Sequence, residues 1–440
     1  MARKKREPET ARIGSVTHDG RGIAAVAGKK VFVAGTLEGE TVRFLRRKRR
    51  RNYDEAELLE VLEPSAARIE PRCAVFGTCG GCSLQHMSSA DQRAIKQRTL
   101  ADNLQRIGRV EPATWLDPVF DDSPEGGWKY RRRARLAVKA VAAKGRVLVG
   151  FRESHAPYVC DMHRCEVLAH PVDGLIDPLS DLIGELTIKS RLPQIEVAVG
   201  DNLTALVFRV LDPPSDADRR AFLDFARDHG VQVGLQSGGP DSVELLDDGA
   251  ALTYSLPDFN VDIEFGATDF VQVNGAVNRR MVSRTIELLD VAAGQRVLDL
   301  YCGIGNFSLP LSRKARFVLG VEGAAQQVAR ARHNAQLNGI DNCEFRTADL
   351  AAIEGNENWL NEGWDRLLLD PARSGAAQIV ANMKSIGSPR IVYVSCHPGT
   401  LARDAGLLVR EHGYVLEAAG IIDMFPHTGH VESIAVFQKD

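Results

Sequence analysis

The sequence predicts an α/β protein whose C-terminal part is built on a largely parallel sheet. Apolar, β-rich runs alternate there with segments of helical length, which is the pattern of strand–helix–strand units. One run starts at Arg296 and enters a glycine turn at Gly303, and another starts at Arg390 and ends at Cys396. Because ligands bind at the carboxyl edge of such sheets, both runs are expected to deliver functional residues to that edge.

Composition is that of an ordinary soluble protein. The chain has 440 residues, of which 44% are hydrophobic and 26% are charged, and this length is sufficient for two or three domains. No apolar run approaches the roughly 18 residues of a membrane-spanning helix, and the N-terminus has no apolar segment typical of a signal peptide. We therefore expect a cytoplasmic protein with no membrane partner and no obligate protein partner.

The net charge of −3 hides an uneven distribution. Residues 1–51 contain 15 Lys and Arg against 5 Asp and Glu, a local charge of +10, whereas the remaining residues carry −13. A basic segment attached to an acidic body of enzyme size indicates a polyanionic partner.

The N-terminal module, residues 1–66, consists of short β-like segments separated by glycine-containing turns, as in a small antiparallel barrel. Its basic run supplies the candidate RNA-binding residues Arg46, Arg47 and Arg49. Small barrels that place a basic loop beside a sheet face often bind single-stranded nucleic acid. The alternative is a solvated charge run. The module resembles the TRAM domain, an OB-like RNA-binding barrel found on some RNA-modifying enzymes.

A group of cysteines lies in the next region. Cys73, Cys79 and Cys82 fall within ten residues, and spacing leaves both Cys160 and Cys165 as candidates for a fourth thiol. Disulfides are not expected in a cytoplasmic chain, whereas three close thiols and a distant one suit a [4Fe–4S] cluster. Zinc is the alternative, held by four cysteines or by three with His86 or His163.

A basic strand lies between these cysteines. The segment Trp128–Val138 alternates in character and carries Arg131, Arg132 and Arg133 beside aromatic residues. Such a strand is suited to bind phosphates and bases of RNA. The alternative is a strand edge that arginines keep soluble.

The glycine turn after the Arg296 run favours S-adenosylmethionine as the cofactor. Gly303-x-Gly305 permits close approach of a nucleoside, and Glu322, at the end of the next strand, is placed to bind ribose hydroxyls. A nicotinamide dinucleotide would require a longer glycine pattern. The later sequence Asp370-Pro371-Ala372-Arg373 has no aromatic ring after the proline to stack a base, which argues against methylation of an exocyclic amine.

Cys396 is the candidate nucleophile. It ends a strand just before a helix start, where a thiolate is favoured, although a buried, inert cysteine is the alternative. C5 of uracil is too weak a nucleophile to attack a sulfonium methyl group unaided, and addition of a thiolate to C6 activates it. A base must then remove the C5 proton, and Glu432 is the first candidate, with His430 second.

Several motifs together resemble the TrmA/RumA family of RNA uracil-C5 methyltransferases over nearly the whole chain. They are Asp269–Asn274, Asp299–Phe307, Leu369–Arg373, Ser395–Pro398 with Leu401–Asp404, and His427–Ser433. The resemblance implies that Cys396 is the nucleophile, that Glu432 accepts the proton and that Cys165 is the fourth cluster ligand. It also implies a pocket for S-adenosylmethionine and the target base lined by Gln272, Tyr301, Asn306, Glu322, Asp349 and Asp370.

The resemblance sets the expected architecture and substrate. It implies a TRAM barrel over residues 1–66, an α+β RNA-binding domain with the cluster over 67–265 and a Rossmann-like methyltransferase domain over 266–440, on which a segment at about 88–124 packs. The combination of barrel and cluster is similar to the branch that methylates uracil 1939 of 23S rRNA. The alternatives are another rRNA uracil, a tRNA, a redox or radical iron–sulfur enzyme, or a non-catalytic assembly factor.

Overall fold

The computed structural model describes residues 7–247 and 249–439, so that the first six residues of the basic segment lie outside the described part. The described chain forms two compact units. The first contains the chain up to Thr99 together with Phe151–Cys160 and Phe425–Val431, and the second contains Leu100–Gly150, Asp161–Met424 and the chain from Glu432.

The first unit contains a closed five-stranded barrel, as predicted, but it is not entirely antiparallel, because its third and fifth strands pair in parallel. Its strands follow the order β1-β2-β3-β5-β4 and span Glu9–Val16 (β1), Arg21–Val26 (β2), Lys29–Ala34 (β3), Thr41–Arg49 (β4) and Tyr53–Glu63 (β5). Alternate residues point inward, and Ile13, Ala24, Val31, Val33, Val42 and Phe44 form the core.

Strand β4 is longer than the sequence indicated. The prediction that the basic run forms a loop is wrong, because β4 continues through Arg46, Arg47 and Arg49. Acidic residues on β5 explain the extension, since they give the cations cross-strand partners, such as Glu55 for Lys48 at 3.3 Å.

Helix α1, Ser89–Asn103, begins in the first unit and packs against the segment Phe425–Val431. Gln92 accepts a hydrogen bond from the backbone N–H of His427 at 2.8 Å, and the Lys96 ammonium donates to the carbonyl of Phe425 at 2.9 Å. Both side chains are buried. These contacts connect a distant part of the sequence to the first unit.

The second unit contains two large sheets. The smaller follows the order β12-β11-β10-β9-β7-β8, with strands Arg133–Val141 (β7), Arg146–Gly150 (β8), Gln194–Val199 (β9), Thr204–Arg209 (β10), Gln232–Gln236 (β11) and Val243–Leu245 (β12). Helices α2, Ile176–Glu185, and α3, Asp216–His229, accompany it. A capping box of Ser215 and Asp218 begins α3, which buries Phe222 and Phe225. A separate hairpin follows, with strands Leu252–Leu256 (β13) and Val261–Phe265 (β14).

The larger sheet is the predicted α/β sheet. Its order is β17-β16-β15-β18-β19-β21-β20-β6, with strands Arg296–Leu300 (β15), Phe317–Glu322 (β16), Cys343–Thr347 (β17), Arg366–Leu369 (β18), Arg390–Ser395 (β19), Val415–Ile422 (β20) and Glu432–Gln438 (β21). β15 to β19 are parallel, and β21 is antiparallel to both neighbours. Thr114–Trp115 (β6) extends the edge beside β20.

Helices cover this sheet and connect its strands. They span Gly275–Leu289 (α4), Ser308–Ser312 (α5), Ala325–Leu337 (α6), Ala377–Ala381 (α7), Met383–Ile386 (α8) and Pro398–His412 (α9). The strand order reverses between β15 and β18, which creates the crevice where ligands bind in such sheets. Among the described residues, no helix is long and apolar enough to cross a membrane.

Candidate active site

Cys396 lies between the end of β19 and the start of α9, as the sequence indicated. His397 is the N-cap of α9, and its Nδ1 accepts a hydrogen bond from the backbone N–H of Thr400 at 3.2 Å. The Ser395 hydroxyl donates to the carbonyl of His397 at 3.1 Å and accepts from its N–H at 3.2 Å. These bonds fix the short turn that presents the thiol.

The register of the sheet places Glu432 opposite Cys396. Ser395 on β19 pairs with Ser433 on antiparallel β21, so the residue after Ser395 faces the residue before Ser433. Glu432 is buried, with 6% of its surface exposed. The predicted nucleophile and the predicted base therefore meet at the same edge of the sheet.

The charges around Cys396 oppose ionisation of its thiol. Burial, which is the strongest effect, and the charges of Glu432 and Asp370 together raise the pKa of the thiol to about 11, while Arg373 acts in the other direction. The helix start was expected to favour the thiolate, whereas burial and these neighbours oppose it. Burial and the two nearby carboxyl groups outweigh the effect of Arg373.

A second buried carboxylate lies under the glycine turn. Asp299 on β15 is fully buried, and one of its oxygens accepts a hydrogen bond from the Ser308 hydroxyl while the other has no hydrogen-bond partner. Burial raises the pKa of Asp299 to about 7. Burial also raises the pKa of Asp370, as do the charges of Glu432 and Asp299. This edge of the sheet is therefore rich in carboxyl groups whose ionisation is disfavoured.

The glycine turn is held to the neighbouring strand. Tyr301 adopts a φ of 66°, which is strained for a residue with a side chain, and its N–H donates to the carbonyl of Val321 at 2.9 Å. Glu322 accepts hydrogen bonds from the N–H groups of Gly303, at 3.2 Å, and Ala324, at 3.1 Å. The predicted ribose-binding carboxylate thus stands beside the turn.

The other predicted pocket residues differ in their surroundings. The Asn306 side chain accepts from the Tyr254 hydroxyl at 2.9 Å and exchanges two hydrogen bonds with Asn278 at 3.0 Å, so its amide already has protein partners. Asp349 is exposed and accepts from the N–H of Ala351 at 2.9 Å. Gln272 is partly buried just before α4.

Some of the predicted cluster ligands lie close together in the first unit. In the first unit, the charges of Cys160 and Cys73 contribute, after burial, to raising the pKa of the Cys79 thiol to about 11. The N–H of Gly81 donates to the sulfur of Cys79 at 3.4 Å. Cys165, which the family resemblance selects, is buried in the second unit. In the described part of the chain, no set of three or more Cys, His, Asp or Glu side chains is arranged to hold a metal ion.

His86 and His163, the two histidines proposed as alternative zinc ligands, lie in different environments. His86 is buried with its ring 5.6 Å from that of Phe76, and burial lowers its pKa to about 4. His163 contacts the carboxylate of Asp177 at 2.9 Å.

The candidate RNA-binding arginines fall into two groups. In the barrel, Arg46 binds Glu9 at 2.8 Å and Asp54 at 2.6 Å, and Arg47 pairs with Glu57. Arg49 is exposed. Most of the basic run is therefore neutralised by the barrel itself.

The arginines of β7 and the residues before it are also engaged. Arg132 pairs with Asp201 at 2.6 Å, and Arg133 donates to the carbonyl of Ala267. Burial lowers the pKa of Arg133. Arg131 donates to the carbonyl of Arg133 at 3.1 Å. All three side chains therefore have partners within the protein, and that of Arg133 holds the segment that contains Ala267.

An aromatic pair on the barrel was not singled out from the sequence. The rings of Phe32 and Tyr53 meet edge to face with centroids 5.3 Å apart, and the Arg21 guanidinium lies 5.0 Å from the Phe32 ring. The ring of Tyr53 is partly exposed beside the basic turn. The position of Tyr53, two residues after Arg51, was the available signal, whereas its pairing with Phe32 depends on the register of β3 and β5.

Comparisons with known proteins show which family the chain resembles. The family model described as "tRNA (Uracil-5-)-methyltransferase" matches residues 253–440. The chain is 50% identical to the 23S rRNA (uracil(1939)-C(5))-methyltransferase RlmD of Alkalilimnicola ehrlichii, covering all of this chain and 98% of the relative. It is 50% identical to the RlmD of Nitrosococcus oceani, covering 98% of this chain and 96% of the relative.

A solved structure shares the fold over nearly the full length. The tRNA (uracil-54, C5)-methyltransferase of Pyrococcus abyssi, in complex with S-adenosyl-L-homocysteine, superposes with a TM-score of 0.76 at 24% identity, covering 97% of this chain and 99% of that one.

Proposed function

Because this chain belongs to the RlmD family of 23S rRNA (uracil-C5)-methyltransferases, we propose that it methylates uracil 1939 of 23S rRNA through a covalent bond between Cys396 and C6 of the base. The observation that carries this mechanism is the strand register that sets Glu432 opposite Cys396. A nucleophile and a proton acceptor at one sheet edge are what C5 substitution of a uracil requires.

Cys396 performs the first step. Its thiolate adds to C6 of the uracil, which forms the S–C6 bond and turns the ring into an enolate with a nucleophilic C5. S-adenosylmethionine supplies the methyl group and, when bound, a positive charge. Burial, Glu432 and Asp370 oppose loss of the thiol proton, and Arg373 assists it.

Glu432 performs the second step. Once C5 carries the methyl group, the Glu432 carboxylate removes the C5 proton, the electron pair re-forms the C5–C6 double bond, and the S–C6 bond breaks to release Cys396. Burial of Glu432 keeps bulk water away from the proton in transit. The target base has to leave its RNA stack to reach this site.

The cofactor pocket is formed around the glycine turn. We assign Glu322 to the ribose hydroxyls, because its carboxylate is already oriented by Gly303 and Ala324. Gln272, Tyr301, Asn306, Asp349 and Asp370 complete the proposed pocket. The carboxyl group of Asp370, whose pKa is raised, is suited to hydrogen bonding with a uracil or with the amino group of the cofactor.

The cysteines fit a [4Fe–4S] cluster in their chemistry. Cys73, Cys79, Cys82 and Cys165 provide four thiols, and the hydrogen bond from Gly81 to the sulfur of Cys79 is of the kind that stabilises cluster thiolates. A Cβ atom at Gly81 would stand 3.3 Å from the ring of Phe151 and 3.5 Å from the sulfur of Cys79, so glycine leaves room there. We propose that the cluster stabilises the fold and takes no part in methyl transfer.

RNA binding is assigned to the barrel and to the basic strand. Arg46, Arg47, Arg131, Arg132 and Arg133 are proposed to act mainly through the folded surfaces they support, because each has protein partners. Arg49 is exposed, so it is the barrel arginine that we assign to direct phosphate contact.

Trapping with 5-fluorouridine tests the mechanism. Full-length protein, S-adenosylmethionine and a 23S rRNA fragment with 5-fluorouridine at position 1939 should yield a denaturant-resistant adduct on the Cys396 peptide, because fluorine does not leave as a proton. Cys396→Ala should give no adduct, and an equivalent tRNA fragment should react far less. Methylation of unmodified RNA without any adduct would contradict the covalent mechanism, and equal reaction of the tRNA would contradict the substrate.

A further inference from the structure

A buried carboxylate on α9 has no role in the mechanism described above. Asp404 is fully buried and accepts three hydrogen bonds at 2.8 Å, from the Tyr393 hydroxyl, the N–H of Ala376 and Nε of Arg403. The N–H of Ala376 also reaches the Tyr393 hydroxyl, at 3.1 Å. A buried carboxylate with this number of donors is strongly held in one geometry.

These bonds converge on one loop. Residues 371–376 follow β18, and besides the contact at Ala376, Arg403 donates to the carbonyl of Ser374 at 2.9 Å. The Thr400 hydroxyl donates to the carbonyl of Arg373 at 3.2 Å. Gly375 has a φ of 78°, and a Cβ there would approach Arg403 and Asp404 to 2.6 and 2.7 Å. The first turns of α9 therefore hold the loop backbone at three residues.

The loop carries a charge that matters at Cys396. β18 and β19 are parallel neighbours, so the loop after β18 lies at the sheet edge where Cys396 follows β19. The charged groups facing the thiol are Glu432 on β21, Asp370 at the end of β18 and Arg373 on the loop, with His397 adjacent on its own element. The side chain of Arg373 is exposed, so packing against the core does not fix its position.

We propose that Asp404 is a positioning residue for the reaction: together with Tyr393 and Arg403 it holds the loop 371–376 so that Arg373 stays beside the Cys396 thiol. Asp404 itself touches no reacting atom. The inference rests on the proposed function only in taking Cys396 as the nucleophile.

Alkylation of Cys396 tests this positioning without RNA or S-adenosylmethionine. The full-length protein is treated with iodoacetamide between pH 7 and pH 10, and modification of the Cys396 peptide is followed by mass spectrometry. Arg373→Gln should slow alkylation at a given pH by up to about tenfold, because one unit of pKa changes the thiolate fraction tenfold. Asp404→Asn should slow it similarly, and the double variant should react no more slowly than Arg373→Gln alone.

Asp218→Asn is the matched control. Asp218 is a buried carboxylate in the same unit that accepts hydrogen bonds from Thr187 and Ser215, so its loss weakens the fold without touching the loop. Its alkylation profile should equal that of the unmodified protein. Should Asp404→Asn fail to fold, Tyr393→Phe, which removes one hydroxyl, replaces it in the same double-variant comparison.

The outcomes separate this proposal from the proposed function. An unchanged alkylation rate in Asp404→Asn, or effects of Asp404→Asn and Arg373→Gln that multiply in the double variant, would overturn the positioning role. If alkylation depends on both residues as expected while 5-fluorouridine RNA gives no adduct, Asp404 still places Arg373 beside the Cys396 thiol, and it is the covalent mechanism that fails.

Discussion

Replacement of Asp299 by asparagine should make the second unit less sensitive to rising pH. Asp299 is fully buried with one oxygen unpartnered, and its pKa is raised from 3.8 to about 7. The folded state therefore binds the Asp299 proton more tightly than the unfolded state does. The contribution of Asp299 to stability is greatest below its unfolded pKa near 4 and falls as pH rises toward its folded pKa near 7.

The size of the effect follows from the two pKa values. A shift of about three units corresponds to about 4 kcal/mol of lost stability well above pH 7, of which about 3 kcal/mol should be lost between pH 5 and pH 8. The side-chain amide of the Asp299→Asn variant would still accept the hydrogen bond from Ser308 but carries no titrating group. Any cost of burying that amide is the same at every pH, so the pH dependence isolates the carboxyl group.

Urea unfolding followed by tryptophan fluorescence measures this difference. All four tryptophans lie in the second unit, so the signal reports on the unit that contains Asp299. The free energy of unfolding should fall by about 3 kcal/mol less in Asp299→Asn than in the unmodified protein between pH 5 and pH 8. Asp218→Asn is a control with the opposite expected effect. Hydrogen bonds lower the pKa of Asp218, so replacing its carboxylate cannot stabilise the protein at pH 8. Parallel pH profiles for Asp299→Asn and the unmodified protein would refute the reasoning.

Three further predictions concern the base, the barrel and a helix cap. Glu432→Gln should still transfer one methyl group to unmodified RNA but remain covalently bound to it, because the C5 proton has no acceptor. Denaturing gels would show the covalent complex. Normal release of product would exclude Glu432 as the base. Arg46→Gln should destabilise the barrel by about 3 kcal/mol in urea unfolding, because the buried carboxylate of Asp54 loses one of its cationic partners. Arg49→Gln should instead leave stability unchanged, weaken RNA binding and reduce the salt dependence of that binding. The reverse pattern would contradict these assignments. Ser215→Ala should cost about 1 kcal/mol through loss of the α3 cap, measured by thermal unfolding, and an unchanged midpoint would contradict that role.

Local pattern was sufficient for the main elements of the second unit. The strands that lead to Gly303, Glu322 and Cys396 were predicted because a short apolar run that ends in a turn is typical of a buried strand in a parallel sheet. The helix beginning at Ser215 was predicted because its capping residues satisfy the first N–H groups locally. In these cases neighbours in sequence are also the interacting groups.

Cross-strand contacts in the barrel were not evident from the sequence. The basic run reads as a loop because its local charge repels, yet Arg46, Arg47 and Lys48 lie on β4 beside the acidic residues of β5 and β1. The pairing of Phe32 with Tyr53 likewise depends on strands that are distant in sequence. Attraction between such groups exists only after the chain has closed into the barrel.

By itself, the sequence determined which chemical groups are present: the thiol of Cys396, the carboxylate of Glu432, the glycine turn and the cysteines. Only the tertiary structure decided that β21 inserts beside β19 and sets Glu432 opposite Cys396. It also decided that burial and two carboxyl groups raise the pKa of the thiol, and that Asp404 hydrogen-bonds to the loop of Arg373. The physical reason is that pKa values and hydrogen-bond geometry depend on burial and on distances between charges, which arise when strands far apart in the chain pack side by side.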